Sequence, residues 1–176
     1  EDFDRALEID PKCVVAYNNR GLVWQAKRDL PGAIRDFTRA IELDPQFAGA
    51  YYNRGNARRA KRDLRGAIED YNQVVRIDPR FILAHWTYYY RGNARRGQGD
   101  LRGAILDYSK AIEVDPGFAS PYYNRGVLRQ RKGDLKGAIE DLDRAIENSP
   151  RFAGAYVNRG MARGTKGELQ GAIGDY

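Results

Sequence analysis

The sequence has 176 residues, 42% hydrophobic and 31% charged, with 30 Lys and Arg against 24 Asp and Glu and a net charge of +6. No apolar run approaches the roughly 18 residues that a membrane-spanning helix needs, so no membrane span is expected. A single cysteine excludes an internal disulfide framework and fits a reducing compartment, which favours a cytoplasmic location.

In chain order, the elements repeat. Gly21, Gly55, Gly92, Gly126 and Gly160 each close an N-R-G or Y-R-G triplet at spacings of 34, 37, 34 and 34, and Pro11, Pro45, Pro79, Pro116 and Pro150 follow at 34, 34, 37 and 34. A period near this length marks stacked copies of one supersecondary unit, each packed only on its neighbours. With the proline thirty-second in a 34-residue unit, residues 1–13 are the tail of one unit, 14–47, 48–81, 82–118 and 119–152 are units, and 153–176 begin another. The opening Glu1-Asp2-Phe3 falls inside a unit, so the true N-terminus is expected elsewhere.

Each unit predicts two helices. The first helices are expected over 14–27, 48–61, 82–98, 119–132 and 153–166, the first four each followed by an R-D or G-D pair. The aspartates Asp29, Asp63, Asp100 and Asp134 are placed to cap the second helices. The second helix of 48–81 spaces Leu64, Ile68, Tyr71 and Val75 as a helical stripe and stops before Asp78-Pro79. Between Ala84 and Tyr88 stand three extra residues, His85-Trp86-Thr87, although the gap aligns equally a residue or two later. Three residues is close to one turn, so a lengthened first helix is predicted there. The resulting cluster of Trp86, Tyr88, Tyr89 and Tyr90 is read as a wedge between units in preference to a contact surface.

Small residues recur at Gly55 and its equivalents and at Ala33, Ala67, Ala104, Ala138 and Ala172, where two helices must approach closely. Arg20, Arg54, Arg91, Arg125 and Arg159 precede the glycines, and Asp36, Asp70, Asp107, Asp141 and Asp175 lie sixteen residues beyond them, predicting a recurrent structural bridge. Cys13 stands where other units have Phe47, Phe81, Phe118 and Phe152, so it is read as a packed residue rather than a reactive thiol. His85 has no second ligand within sequence reach, and no metal site is expected. Phosphate-binding, zinc-protease and nucleophile-elbow motifs are absent, so no catalytic residue, no cofactor and no enzymatic activity are expected.

Tyr17, Gly21, Ala33, Phe37, Ala40 and Pro45, with Tyr51, Gly55, Ala67, Tyr71 and Pro79 in the next unit, give the chain its resemblance to the tetratricopeptide repeat family. Val74 replaces one alanine of that pattern. The resemblance implies an all-α fold, a right-handed superhelical solenoid of antiparallel helix pairs over residues 1–176, with first helices lining a concave side. The five predicted first helices contain no Asp or Glu and 16 Lys or Arg; against a whole-chain +6, the remainder carries −10. The resemblance therefore implies a basic groove and an acidic back. With the bridging arginines set aside, Arg58, Arg59, Arg95, Arg96, Arg129, Arg131 and Arg163 remain in the groove. Lys27, Lys61, Lys132 and Lys166 suit the C-terminal ends of their helices.

Asn19, Asn53, Asn124 and Asn158 occupy one place in successive units, with Tyr90 interrupting the row. Amides offer both a donor and an acceptor to an extended peptide backbone. The row is similar to the asparagine ladder of O-GlcNAc transferase arrays. Asn56 and Asn93 match the asparagine of those family members that clamp chaperone C-termini, but Tyr52, Tyr89 and Tyr123 stand where that clamp has lysine, which disfavours it. The expectation is a protein-interaction scaffold binding an extended, acidic peptide. The asparagine row would hold its backbone, Arg59, Arg96 and Arg131 would select acidic side chains, and Tyr52, Tyr89 and Tyr123 would add apolar contact. Two alternatives stand beside it. One is nucleic-acid binding through the basic groove, less favoured without an RNA-reading motif; the other is end-to-end self-assembly through the half-units at Glu1-Asp2-Phe3 and Gly174-Asp175-Tyr176.

Overall fold

The computed structural model describes residues 2–175, which hold eleven α-helices and no strand. The chain divides into two compact units, residues 1–98 and 99–176. The first contains α1 (Asp2–Ile9), α2 (Val14–Ala26), α3 (Leu30–Leu43), α4 (Ala48–Ala60), α5 (Leu64–Ile77) and α6 (Ala84–Gly97). The second contains α7 (Leu101–Val114), α8 (Ala119–Arg131), α9 (Leu135–Asn148), α10 (Ala153–Lys166) and α11 (Leu169–Asp175).

The second helices start where the aspartates direct. Asp29, Asp63, Asp100 and Asp134 each accept the backbone N–H three residues on, at 3.0, 2.9, 2.8 and 2.9 Å. This satisfies one of the donors that a helix N-terminus leaves without an intrahelical partner. The residue before each of these caps reverses the chain in the left-handed region, Gly99 and Gly133 at φ 85° and 82° but Arg28 and Arg62 at 64° and 69°, and Gly167 before α11 does the same at 88°. Glycine enters that region freely and arginine does not.

Packing proceeds from neighbour to neighbour. Ala33 and Phe37 of α3 bury against Ala57 of α4; Ala40 and Ile41 bury against Ala50; Leu142 and Ala145 of α9 bury against Ala155 of α10. Small local cores thus take the place of a single central one, as stacked units require. Gly126 shows why the approach is so close, since a Cβ there would sit 3.2 Å from the carbonyl oxygen of Ala138.

The insertion is accommodated differently from the expectation. Counted back from Gly92, Thr87 stands where Ala50 stands before Gly55, and both are fully buried. The extra residues are therefore 82–84. Ile82 and Leu83 form a second turn after Phe81, and α6 has 14 residues against 13 in α4, not an added turn. The reason is packing: a longer helix would run past the end of α5, which Pro79 has stopped, and find nothing to cover it. Instead the Leu83 carbonyl accepts the Thr87 N–H at 2.8 Å and the Thr87 hydroxyl at 3.0 Å.

Candidate functional site

Buried carboxylates of the second helices organise the arginines. Arg20 donates through Nε and Nη2 to Asp36 at 2.7 and 2.9 Å, and Arg125 in the same way to Asp141 at 2.9 and 2.6 Å. Arg54 Nη2 reaches Asp70 at 2.7 Å, and Arg159 forks onto Asp175. The predicted bridge is thus present, and the carboxylates hold the Arg20 and Arg159 guanidinium pKa values above their ordinary range. A second donor completes each carboxylate: Trp24 at 3.1 Å on Asp36, Arg58 at 3.0 Å on Asp70, Arg129 at 2.9 Å on Asp141 and Arg163 at 2.9 Å on Asp175. Arg58, Arg129 and Arg163, expected to line a groove, belong to the scaffold instead.

The bridge has a further arm that the sequence reading missed. The Nη1 of each bridging arginine reaches back to the preceding second helix, to Asp4 at 2.8 Å, Thr38 at 3.1 Å, Asn72 at 2.9 Å, Ser109 at 2.8 Å and Asp143 at 2.6 Å. The signal was available: a polar residue sixteen positions before each arginine, or nineteen across the insertion. Each guanidinium also lies 5.3 to 5.8 Å from the ring of the tyrosine three residues before it, from Tyr17 to Tyr156. One side chain therefore ties two second helices to its own helix, leaving the face beyond it free to vary.

On that face, α4 and α6 bring Tyr52, Asn56, Arg59, Tyr89, Asn93 and Arg96 together within the first compact unit. The Arg59 guanidinium lies 4.3 Å from the centre of the Tyr90 ring, and its Nε is buried without a hydrogen-bond partner. Tyr71 donates its hydroxyl to Asn56 Oδ1 at 2.8 Å, and Tyr52 packs near Tyr71 and Phe81. Burial raises the Tyr52, Tyr71 and Tyr90 phenols above their ordinary value. Trp86 stacks on Tyr90 at 5.4 Å and meets Tyr89 at 5.9 Å, while Tyr88 lies beneath Arg91. Trp86, Tyr89 and Tyr90 are half-buried and form an aromatic strip along α6.

The asparagine row is wired into the chain. Asn53 donates to Asn18 Oδ1 at 2.9 Å, Asn18 donates to Asn19 Oδ1 at 3.3 Å, and Asn158 donates to the Gly154 carbonyl at 2.8 Å and the Tyr123 hydroxyl at 3.2 Å. Asn124 is buried, 6% exposed. The Oδ1 atoms of Asn53 and Asn158 accept no bond from the described residues, so those two amides present acceptors. Tyr123 packs against Phe152 at 4.6 Å. Arg131 is exposed at the end of α8, one residue past the row of Arg59 and Arg96, where Gln130 stands.

Between the C-terminal ends of α4 and α6 lies a cleft of about 440 Å³ lined by Arg59, Arg62, Leu64, Asn93, Arg96 and Gly97 among others, with no carboxylate in its lining. Among the described residues, no group of three or more His, Cys, Asp or Glu is placed to hold a metal ion, and no helix is long and apolar enough to cross a membrane. The end-to-end assembly expectation rests partly on Glu1 and Tyr176, which lie outside the described residues.

Family models described as TPR repeat match residues 26–61 and 92–133, and models described as tetratricopeptide repeat match 48–81 and 123–176. No curated protein matches. Among solved structures, a MamA protein is 26% identical with a TM-score of 0.85, covering 92% of this chain and 87% of that one. YrrB, described as a TPR protein with an unusual peptide-binding site, is 22% identical with a TM-score of 0.85 over 99% of this chain and 89% of its own. A Pseudomonas aeruginosa pilF structure is 15% identical with a TM-score of 0.87 over 98% of this chain and 78% of its own. The last two likenesses concern the fold alone.

Proposed function

The chain belongs to the tetratricopeptide repeat family, whose members generally act as protein-protein interaction scaffolds, and on that premise we propose that its first-helix faces bind an extended, acidic peptide segment. The observation that carries this reading is a first-helix face without Asp or Glu that sets arginine beside tyrosine. Arg59 and Arg96 stand beside Tyr52 and Tyr89 on α4 and α6, and Arg131 beyond Tyr123 on α8. A guanidinium meets a carboxylate in two parallel bonds, and a tyrosine ring adds apolar area at small entropic cost. The Oδ1 atoms of Asn53 and Asn158 suit peptide N–H groups, with Asn19 in the same row and Asn124 buried in it. Asn93 lines the cleft with Arg59 and Arg96, and Asn56, three residues before Arg59, accepts the Tyr71 hydroxyl. That YrrB is described as binding peptide adds support from the same fold.

The test is fluorescence anisotropy with a labelled alternating Glu-Gly peptide, a Lys-Gly control and a single-stranded oligonucleotide. The acidic peptide is expected to bind and the basic one not. Arg59→Gln with Arg96→Gln weakens binding about tenfold, the loss of roughly one charge-assisted contact. Tighter binding of the oligonucleotide with a steep salt dependence would replace peptide by nucleic acid as the ligand.

A further inference from the structure

The cleft between α4 and α6 carries arginines that the fold does not require. Arg59 and Arg96 share one register position, where the other units have Gln25, Gln130 and Gly164; at that of Arg62 stand Arg28, Gly99, Gly133 and Gly167. The Arg59 Nε is buried beside the cleft with no hydrogen-bond partner, and the Tyr90 ring 4.3 Å away holds its guanidinium in place. An unmet buried donor is unfavourable to the scaffold alone.

We propose that this cleft takes a phosphoryl group carried on a serine or threonine of the bound segment, an inference that rests on the peptide-binding reading above. A carboxylate would bring one charge to a lining with three guanidinium groups and no acid. A phosphomonoester brings a charge of about −1.5 to −2 and three strong acceptor oxygens. Arginine forks suit those oxygens in bidentate pairs, and the Asn93 amide lies in the same lining. The corresponding place between α8 and α10 holds Gln130, Arg131, Gly133, Met161 and Gly164, one cation in all, so the site is specific to the first compact unit.

The experiment compares three labelled acidic peptides that differ at one central residue, serine, phosphoserine or glutamate. The full chain is set beside the triple variant Arg59→Gln, Arg62→Gly, Arg96→Gln, and beside Arg131→Gln. Every replacement is a residue the chain already uses at that register position or the one adjoining it, and circular dichroism checks the fold. The phosphoserine peptide is expected to bind at least about tenfold tighter than the other two, a preference of about 1.4 kcal/mol. The triple variant loses the preference and Arg131→Gln keeps it. Equal binding of all three peptides, a glutamate peptide as tight as the phosphopeptide, or a preference that survives in the triple variant overturns the phosphoryl site and leaves peptide binding standing. No binding of any peptide overturns both.

Discussion

On α4 and α6 the outward positions of the first-helix face hold Tyr52, Asn56 and Arg59, then Tyr89, Asn93 and Arg96; on α8 and α10 the same positions hold Tyr123, Val127 and Gln130, then Val157, Met161 and Gly164. Tyr123, Val127 and Gln130 on α8 are half-buried like Tyr52, Asn56 and Arg59 on α4, so the two faces differ in the chemistry of their residues and not in burial. Beneath both faces run the same elements: a bridging arginine, a buried aspartate, a second arginine four residues on and a polar partner on the preceding second helix. The difference teaches that stability and recognition are assigned to different positions of one repeat. The ladder consumes one set of arginines in both units, and only residues outside it give each face its chemistry.

The strongest way to break that comparison is to remove a carboxylate from each unit. Asp70→Ala and Asp141→Ala are each expected to cost about 3 kcal/mol, because two guanidinium groups lose their buried partner at once. Urea unfolding measures this, and a loss confined to one variant would show that the ladder does not serve both units alike.

A smaller effect separates Tyr71 from Leu142, its fully buried counterpart in the second unit. Tyr71→Phe loses the bond to Asn56, worth about 1 kcal/mol. Burial also raises the Tyr71 phenol pKa in the folded chain, so its contribution is complete below the unfolded value of about 10 and declines as pH rises beyond it. The variant should therefore show a shallower alkaline loss of melting temperature. An unchanged slope above pH ~10 would place the titrating phenol elsewhere.

The smallest change sharpens the contrast at the turns. Arg62→Gly relieves about 1 to 2 kcal/mol of left-handed strain and returns part of it as glycine entropy, for a net gain of about 0.5 kcal/mol. Gly133→Ala, at φ 82°, should move stability the other way. A calorimetric scan resolves the two signs, and a gain from both would contradict the strain argument.

The repeat period, the two helices per unit, the capping aspartates and the pairing of Arg20 with Asp36, Arg54 with Asp70, Arg125 with Asp141 and Arg159 with Asp175 were legible in the residues. Each depends on local geometry or on a spacing repeated unit after unit, so recurrence exposes it. Three features were not legible. The extra residues of the 82–118 unit settle at 82–84 because Thr87 is drawn into the buried place of Ala50, and only packing chooses among gap positions that the letters leave equal. Arg58, Arg129 and Arg163 look like groove arginines in sequence and turn inward because each finds a carboxylate within about 3 Å on the facing helix. Asn53 and Asn158 spend donors on Asn18 and Tyr123, contacts that exist only once first helices lie side by side. Sequence alone determined which unit repeats and how the second helices begin and end, because those are properties of a short run of backbone; tertiary structure decided which polar side chains remain for a partner, because that depends on what the neighbouring helix has already bonded.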